Sequence, residues 1–476
     1  MLFNSLSFMI FFPVVVMLYF VIPSRYKNAW LLLCSYFFYF CQDNSYTLLL
    51  IASTLITWYC GRLVSNSRSD SRKKLYIAAG FILNIFMLFY FKYMGFVFSL
   101  VGHDGIFNLM LPAGISFYTF QSLTYIMDCY RGDCAVENNI INYALFVSFF
   151  PNILSGPIER ARNMLPQLRR ERSFDALRAK EGLFLMLWGY FLKMVIASRL
   201  AILTEYVYSN EEYHGIPMLV AMLAYSFEIY CDFAGYSSVA IGAARILGFD
   251  VMRNFRQPYL AVSIADFWRR WHISLSTWFR DYLYIPLGGN RLGKIRQYIN
   301  VMIVFLVSGL WHGANLTFVL WGFLHGIYQI IGYLMKPVKE KTSTLCKLDK
   351  HNGIKHFLSV ICTYILVSIA WIFFRADSIG AGMDILARTF SGYSISLAGM
   401  AVVFELGLGK ANLLFVMLAV AILILVDIIC ERKKCDIFEL LNTTHVVLRW
   451  AIYYFLITMI IFSSNLSTQE FIYQKF

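Results

Sequence analysis

Residues 1–28 read MLFNSLSFMIFFPVVVMLYFVIPSRYKN, and how they are read decides the fold class. The apolar run over about residues 5–23 approaches the roughly 20 residues a helix needs to cross the hydrocarbon core of a bilayer. The stretch superficially resembles a secretory signal. It lacks a basic leading region and a small-residue cleavage site, so it reads as a retained first transmembrane helix. The pattern continues along the chain, with further spans predicted at about 28–41, 46–64, 76–100, 108–128, 140–157, 182–204, 217–246, 297–312, 314–335, 356–374, 411–430 and 446–464. Several are short or are broken by Pro or Gly. The clearest break is Phe149-Phe150-Pro151-Asn152-Ile153-Leu154-Ser155-Gly156-Pro157. Irregular backbone at membrane depth persists only where protein or a water-filled cavity satisfies it, so re-entrant segments around an internal site are expected. The reading is an all-α, polytopic membrane protein with about 10–13 membrane segments, one membrane domain over residues 1–476.

Composition agrees. Of 476 residues, 59% are hydrophobic and 14% charged, with a mean hydropathy of +0.61; soluble domains carry about a quarter charged residues. The 31 Tyr and 10 Trp suit the membrane–water boundary, where a ring is buried and its polar tip stays wet. The ten cysteines form no C-x-x-C pair, and runs such as Leu33-Cys34-Ser35 and Val360-Ile361-Cys362 read as small buried hydrophobes. No Cys/His cluster has ligand spacing, so no metal site is expected.

Charge sets the orientation. Five clusters, at 62–74, 160–180, 253–296, 336–355 and 432–434, hold 29 of the 41 Lys and Arg. Positive loops stay in the cytoplasm, which places all five inside. The segment 205–214, with Glu205, Glu211 and Glu212 and no Lys or Arg, fits the outside. The net charge of +13 therefore reflects topology and anionic headgroups. Nucleic acid is not expected as a partner, because no basic soluble domain exists to bind it.

Intramembrane polar residues are costly, so each is a functional candidate. Along 266–284, a helix would put Phe267, Trp271, Leu275, Trp278 and Tyr282 on one face and Asp266, Arg269, Ser276 and Arg280 on the other, with His272 at the border. The plain reading is an amphipathic anchor at the cytoplasmic interface. The sharper one is a donor-binding wall of Trp268, Arg269, Arg270, Trp271 and Ser276, the arginines gripping phosphates. The run 308–315, SGLWHGAN, places His312 between Trp311 and Gly313, with Asn315 beyond. A lone His in a bundle is often a satisfied core residue. Here the glycines would allow close approach by a ligand, and a neutral imidazole in a dry tunnel is a suitable base for a hydroxyl. In the run from Phe227 to Ser238, Glu228 and Asp232 share a helix face, suiting acid/base work or, more plainly, pairing with an arginine such as Arg245. His325 is a candidate supporting group. A serine nucleophile lacks its G-x-S-x-G elbow, and Leu287-Gly288-Gly289-Asn290 lacks the Lys-Ser/Thr of a phosphate-binding loop.

With these residues in view, the chain resembles the membrane-bound O-acyltransferase (MBOAT) family, most closely the branch that includes the alginate O-acetylation membrane protein. Five stretches carry the likeness: 111–121 (LPAGISFYTFQ), 155–160 (SGPIER), 230–237 (YCDFAGYS), 267–287 (FWRRWHISLSTWFRDYLYIPL) and 308–315. The resemblance implies a ring of tilted helices around a central tunnel, with His312 as the intramembrane catalytic histidine and His272 as the second one. Gln121, Asp232, Tyr236 and Ser237 would be supporting polar groups. Two departures stand out: Ser238 where the branch's pattern has Asp, and Lys475 within the aromatic ending 471–476.

The function this implies is O-acetyl transfer to an exopolysaccharide or other envelope glycan, in a bacterial inner (cytoplasmic) membrane. Acetyl-CoA is the donor substrate, and no cofactor is bound permanently. No soluble outer domain exists to hold a polymer, so an extracytoplasmic esterase-like (SGNH) acyltransferase partner is expected, beside membrane lipids. The runner-up is D-alanylation of teichoic acid from a carrier-protein thioester. A secondary transporter or flippase would show broken helices at matching positions in two halves, and no such symmetry is visible.

Overall fold

A computed structural model describes residues 1–103, 109–338, 341, 352–392 and 406–463, and within them there is helix and no strand. Seven helices there are long and apolar enough to cross a membrane, and three shorter apolar ones accompany them, within the expected range. The aromatic ending 471–476 with Lys475, and most of 336–355, lie outside the described residues.

The helices group into two compact units. The first comprises residues 1–190 and 236–253. Its helices are α1 (Leu6–Val21), α2 (Ser24–Phe40), α3 (Thr47–Asn66), α4 (Asp70–Lys92), α5 (Met94–Leu100), α6 (Ile115–Arg131), α7 (Ile140–Ser148), α8 (Phe150–Ile153), α9 (Ala161–Leu168) and α10 (Ala176–Tyr190). The predicted break falls at Phe149, between α7 and α8, where ψ is 110°. Every residue from Asn142 to Ala161 is buried, so the irregular backbone is enclosed by protein, as a lipid environment requires. Two side features hold it. Gln121 Nε2 donates to the Phe146 carbonyl. Gly114, at φ +69°, lies so close that an added Cβ would sit 2.4 Å from the Ile153 oxygen.

The second unit comprises residues 191–235 and 254–476. A π-helical turn, Phe191–Ala197, leads into α11 (Ser198–Tyr208), followed by α12 (Ile216–Ile246), whose last turns belong to the first unit. Then come α13 (Ile264–Arg270), α14 (Ile273–Phe279), α15 (Lys294–His312), α16 (Leu316–Leu334), α17 (Asn352–Arg375), α18 (Ile379–Thr389), α19 (Gly409–Lys433), α20 (Ile437–Asn442) and α21 (Val446–Ile461). α15 and α16 form a hairpin packed backbone to backbone. A Cβ on Gly309 would fall 2.3 Å from the Phe318 oxygen, and one on Gly322 would fall 2.2 Å from the Phe305 oxygen. Small residues serve membrane helices in this way, because lipid offers no hydrophobic gain and close contact must supply the attraction.

Helix ends that charge assigns to one side also meet one another. Tyr130 donates to Asp70, and Arg169 pairs with Glu137 at 2.8 Å. In the second unit Arg270 pairs with Glu431, beside the 432–434 cluster. At the opposite ends Arg375 pairs with Glu205, and Arg388 donates to the Asn210 carbonyl. By the charge assignment alone, a cysteine introduced near Lys341 is expected to resist an impermeant maleimide added to intact cells and to react in inverted vesicles. Labelling from outside would reverse the assignment of the clusters.

Candidate active site

The expected continuous amphipathic helix over 266–284 is not what forms. α13 ends at Arg270, Trp271 is extended, and His272 takes φ +42° and ψ 54°, the left-handed region, before α14 begins. A non-glycine residue there costs of order 1–3 kcal/mol and persists only where its surroundings over-determine it. The surroundings are the segment before α13. The Ile273 amide donates to the Asn254 carbonyl at 2.9 Å, Ser274 Oγ donates to Asn254 Oδ1 at 2.6 Å, and the Arg256 amide donates to the Arg270 carbonyl at 3.0 Å. The aromatic face is also not spread on lipid: Phe267, Trp271, Leu275 and Trp278 are buried in protein. Periodicity registered a buried face correctly and assigned it the wrong neighbour.

The break turns His272 inward until it is fully buried. Its ring stands edge-on to Phe233 of α12 at 4.6 Å and to Trp311 at 5.9 Å, and 6.4 Å from His312. It lies outside the membrane-spanning helices, and burial lowers its pKa to about 3, so the imidazole is neutral at physiological pH. His312 closes α15 and is also buried. Trp311, Trp321 and Phe374 surround it at 5.0, 5.0 and 5.3 Å between ring centroids. The glycines beside it were expected to admit a ligand. In fact they admit α16: besides the Gly309 contact, a Cβ on Gly313 would lie 2.1 Å from the Phe318 ring. Helix packing, not substrate, takes up that space.

A cavity of about 240 Å³ is lined by Trp268, Arg269, Ser276, Arg280, Ser308 and Tyr333, among others. Ser308 is about one turn before His312 on α15; neither His312 nor His272 lines the cavity itself. The structure separates the two arginines that the sequence pairs. The Arg269 side chain is 71% exposed, on the cavity wall, with a loose 3.3 Å contact to Asp266. Arg270 is 16% exposed and grips Glu431 through two nitrogens, at 2.8 and 2.9 Å, and Asp266 at 3.0 Å. Its donors are directed at α19 and α13 rather than at the cavity.

Other candidates find definite places. His325 is buried, and its Nδ1 accepts from Trp268 Nε1 at 3.2 Å, so it orients a residue of the cavity wall. Asn315 caps α16 by accepting from the Thr317 amide, and it donates to the Asp377 carbonyl at 2.8 Å. Asp232 is buried against Lys193 of the π-helical turn, and Glu228 accepts from Thr204 at 2.5 Å. Arg245 pairs instead with Glu181, at 3.0 Å. Gln121, Tyr236 and Ser237 belong to the first unit, where Tyr236 donates to Asn4 at 3.0 Å. Sequence reasoning missed Lys193, Asn254, Trp321 and Glu431. Lys193 was visible as a lone cation inside an apolar run. The others carried no local signal: Glu431 meets Arg270 161 residues away, Asn254 meets a turn that no pattern announces, and Trp321 reaches His312 only because α15 and α16 fold back on one another.

Two buried imidazoles 6.4 Å apart and a cavity with arginines on its wall, in a bundle of membrane helices, suit acyl transfer, and the sequence of the chain agrees. The pattern of the membrane-bound O-acyltransferase family matches residues 38–370, and the chain belongs to that family: it is a multi-pass membrane acyltransferase. It is 36% identical to the "Probable alginate O-acetylase AlgI" of Pseudomonas syringae pv. tomato, over 91% of this chain and 84% of that protein. It is 33% identical to the peptidoglycan O-acetyltransferase of Helicobacter pylori, over 81% of this chain and 79% of that one. Its similarity to the teichoic acid D-alanyltransferase of Bacillus subtilis is 30%, over 52% of this chain and 65% of that protein.

Proposed function

We propose that the enzyme moves an acetyl group from acetyl-CoA to a hydroxyl of an envelope glycan, directly or through an extracytoplasmic esterase-like partner, in a bacterial inner membrane. The observation that carries this reading is the cavity that runs from Arg269 and Arg280 to Ser308, one turn from His312. Its cationic mouth suits the phosphates of CoA, and its aromatic wall suits the slender pantetheine arm. In the reaction His312 accepts the hydroxyl proton as the oxygen attacks the thioester carbonyl. The C–S bond then breaks, and the thiolate leaves as the CoA thiol with that proton. The acetyl group stays on oxygen as an ester. His272 stands beside this path as a neutral, geometrically fixed imidazole. The relatives that O-acetylate alginate or peptidoglycan cover most of the chain, and the D-alanyl-transferring relative about half, which favours acetyl over D-alanyl transfer.

The test is transfer of label from [14C]acetyl-CoA in membranes, read with Arg269→Ala and Arg280→Ala. Each is expected to raise the KM for acetyl-CoA about 5- to 10-fold with kcat nearly unchanged, the loss of one solvent-facing charge-assisted contact to phosphate. Wild-type donor dependence in both variants would remove the cavity from the donor path.

A further inference from the structure

In the first unit, at the corner between α1 and α2, lies a second cavity of about 380 Å³. Arg25 and Lys27, at the start of α2, form one side of it, and Arg169, Arg170 and Arg172, after α9, form the other. Glu171 is the single carboxylate on the wall among the described residues. A run of basic residues is usually a solvated face. Lys27 argues otherwise, because it is only 8% exposed. Its ammonium donates to the Arg172 carbonyl at 2.7 Å and lies over the rings of Tyr19 and Phe20, at 5.3 and 5.6 Å. No carboxylate forms an ion pair with it among the described residues. Arg172 adds a further positive charge, and the contacts it makes are with uncharged groups. Its Nε donates to the Gly248 carbonyl at 2.9 Å, and its guanidinium covers the Phe249 ring at 3.8 Å. Of the five cations, Arg169 has a carboxylate partner, Glu137. An ammonium fixed on the wall of a basic cavity with no carboxylate beside it attracts an anion into that cavity.

The surroundings say which anion. Beside the cavity the surface turns apolar: Leu18, Val21 and Phe174 are 40%, 80% and 58% exposed. The Phe174 ring packs on Phe20 at 5.3 Å, and Phe20 in turn underlies Lys27. A ligand that answers both surfaces has an anionic head and hydrocarbon tails. The geometry points to a binding site for the phosphodiester headgroup of an anionic phospholipid. Its phosphate is held among Lys27, Arg25 and Arg170, and its acyl chains lie along Val21 and Phe174. Basic pockets at the cytoplasmic ends of membrane helices recognise headgroups by this combination of charge and adjoining apolar surface. The site is independent of the acyl-transfer chemistry and sits in the unit that does not hold His272 and His312.

The experiment follows the unfolding midpoint of the full chain, purified in a neutral detergent. Dioleoylphosphatidylglycerol, dioleoylphosphatidylcholine and inorganic phosphate are added in separate titrations. A saturable rise with phosphatidylglycerol alone is expected. Lys27→Gln should weaken its half-saturation about fivefold or more, the loss of one cation's attraction to an anionic headgroup. Should Lys27→Gln fail to fold, the exposed double variant Arg25→Gln/Arg170→Gln decides in its place, with a larger expected loss. An equal rise with phosphatidylcholine would mean a nonspecific detergent–lipid effect, and an equal rise with phosphate would mean a free-anion site. Either result overturns the proposal. So does the absence of any phosphatidylglycerol response, or an unchanged half-saturation in the deciding variant.

Discussion

His312→Ala is expected to lower acyl transfer by about 10²- to 10⁴-fold, the usual loss when a general base is removed, while the protein still inserts and folds. His312 ends α15, buried among Trp311, Trp321 and Phe374, about one turn from a residue that lines the cationic cavity. Truncation leaves a void within a rigid aromatic cage that the α15–α16 hairpin holds independently through Gly309 and Gly322. His312→Gln separates shape from proton transfer, because an amide fills much of the space but does not accept a proton near neutral pH. Both variants are expected to be inactive at normal expression, with His272→Ala impaired less. Full activity in the glutamine variant would return His312 to the class of buried structural histidines. The readout is label transferred from acetyl-CoA per unit of folded protein.

Arg270→Ala is expected to act on stability, in contrast to Arg269→Ala, which acts on donor affinity. Removing the guanidinium leaves Glu431 and Asp266 facing one another without the cation that joins them. Breaking a buried pair from one side costs about 3–5 kcal/mol. The Glu431 side chain is 31% exposed, which puts the expected loss near the lower end, about 3 kcal/mol. The contact joins α13, which leads into the left-handed turn at His272, to the end of α19. Low expression and a depressed unfolding midpoint in detergent are therefore expected for Arg270→Ala, and much less so for Arg270→Lys, which keeps the charge but not the two-nitrogen grip. A normally stable Arg270→Ala protein with weakened acetyl-CoA dependence would reassign the residue to donor binding.

Much of the fold is legible in the sequence. The run at 1–28 forms α1 and the start of α2, and the interruption at 149–157 is where α7 gives way to α8. These readings succeed because lipid imposes a length and an apolarity on every crossing, and forbids unsatisfied backbone except inside protein. Both are properties of a short window of sequence. The same logic singled out His312, His272, Arg269 and His325, since a polar residue in an apolar run has few ordinary explanations.

The misreadings share one cause. A helical wheel over 266–284 assumes that the helix continues, whereas the hydrogen bonds from Asn254 and Arg256 break it at Trp271 and His272. Likewise, glycines at 309 and 313 indicate that something comes close without naming it, and here it is Phe318. Arg269 and Arg270 are adjacent and chemically identical, yet one faces a cavity while the other is held by a carboxylate 161 residues away. The sequence alone determined that this chain is a multi-pass helical membrane protein, and which of its polar residues needed a reason to exist. Only the tertiary structure decided which of them meet: the two imidazoles 6.4 Å apart, Arg270 on Glu431, and Lys27 in a cavity of like charge. The division is physical. Solvation by lipid acts on each segment separately, whereas partner choice depends on contacts between segments that are distant along the chain.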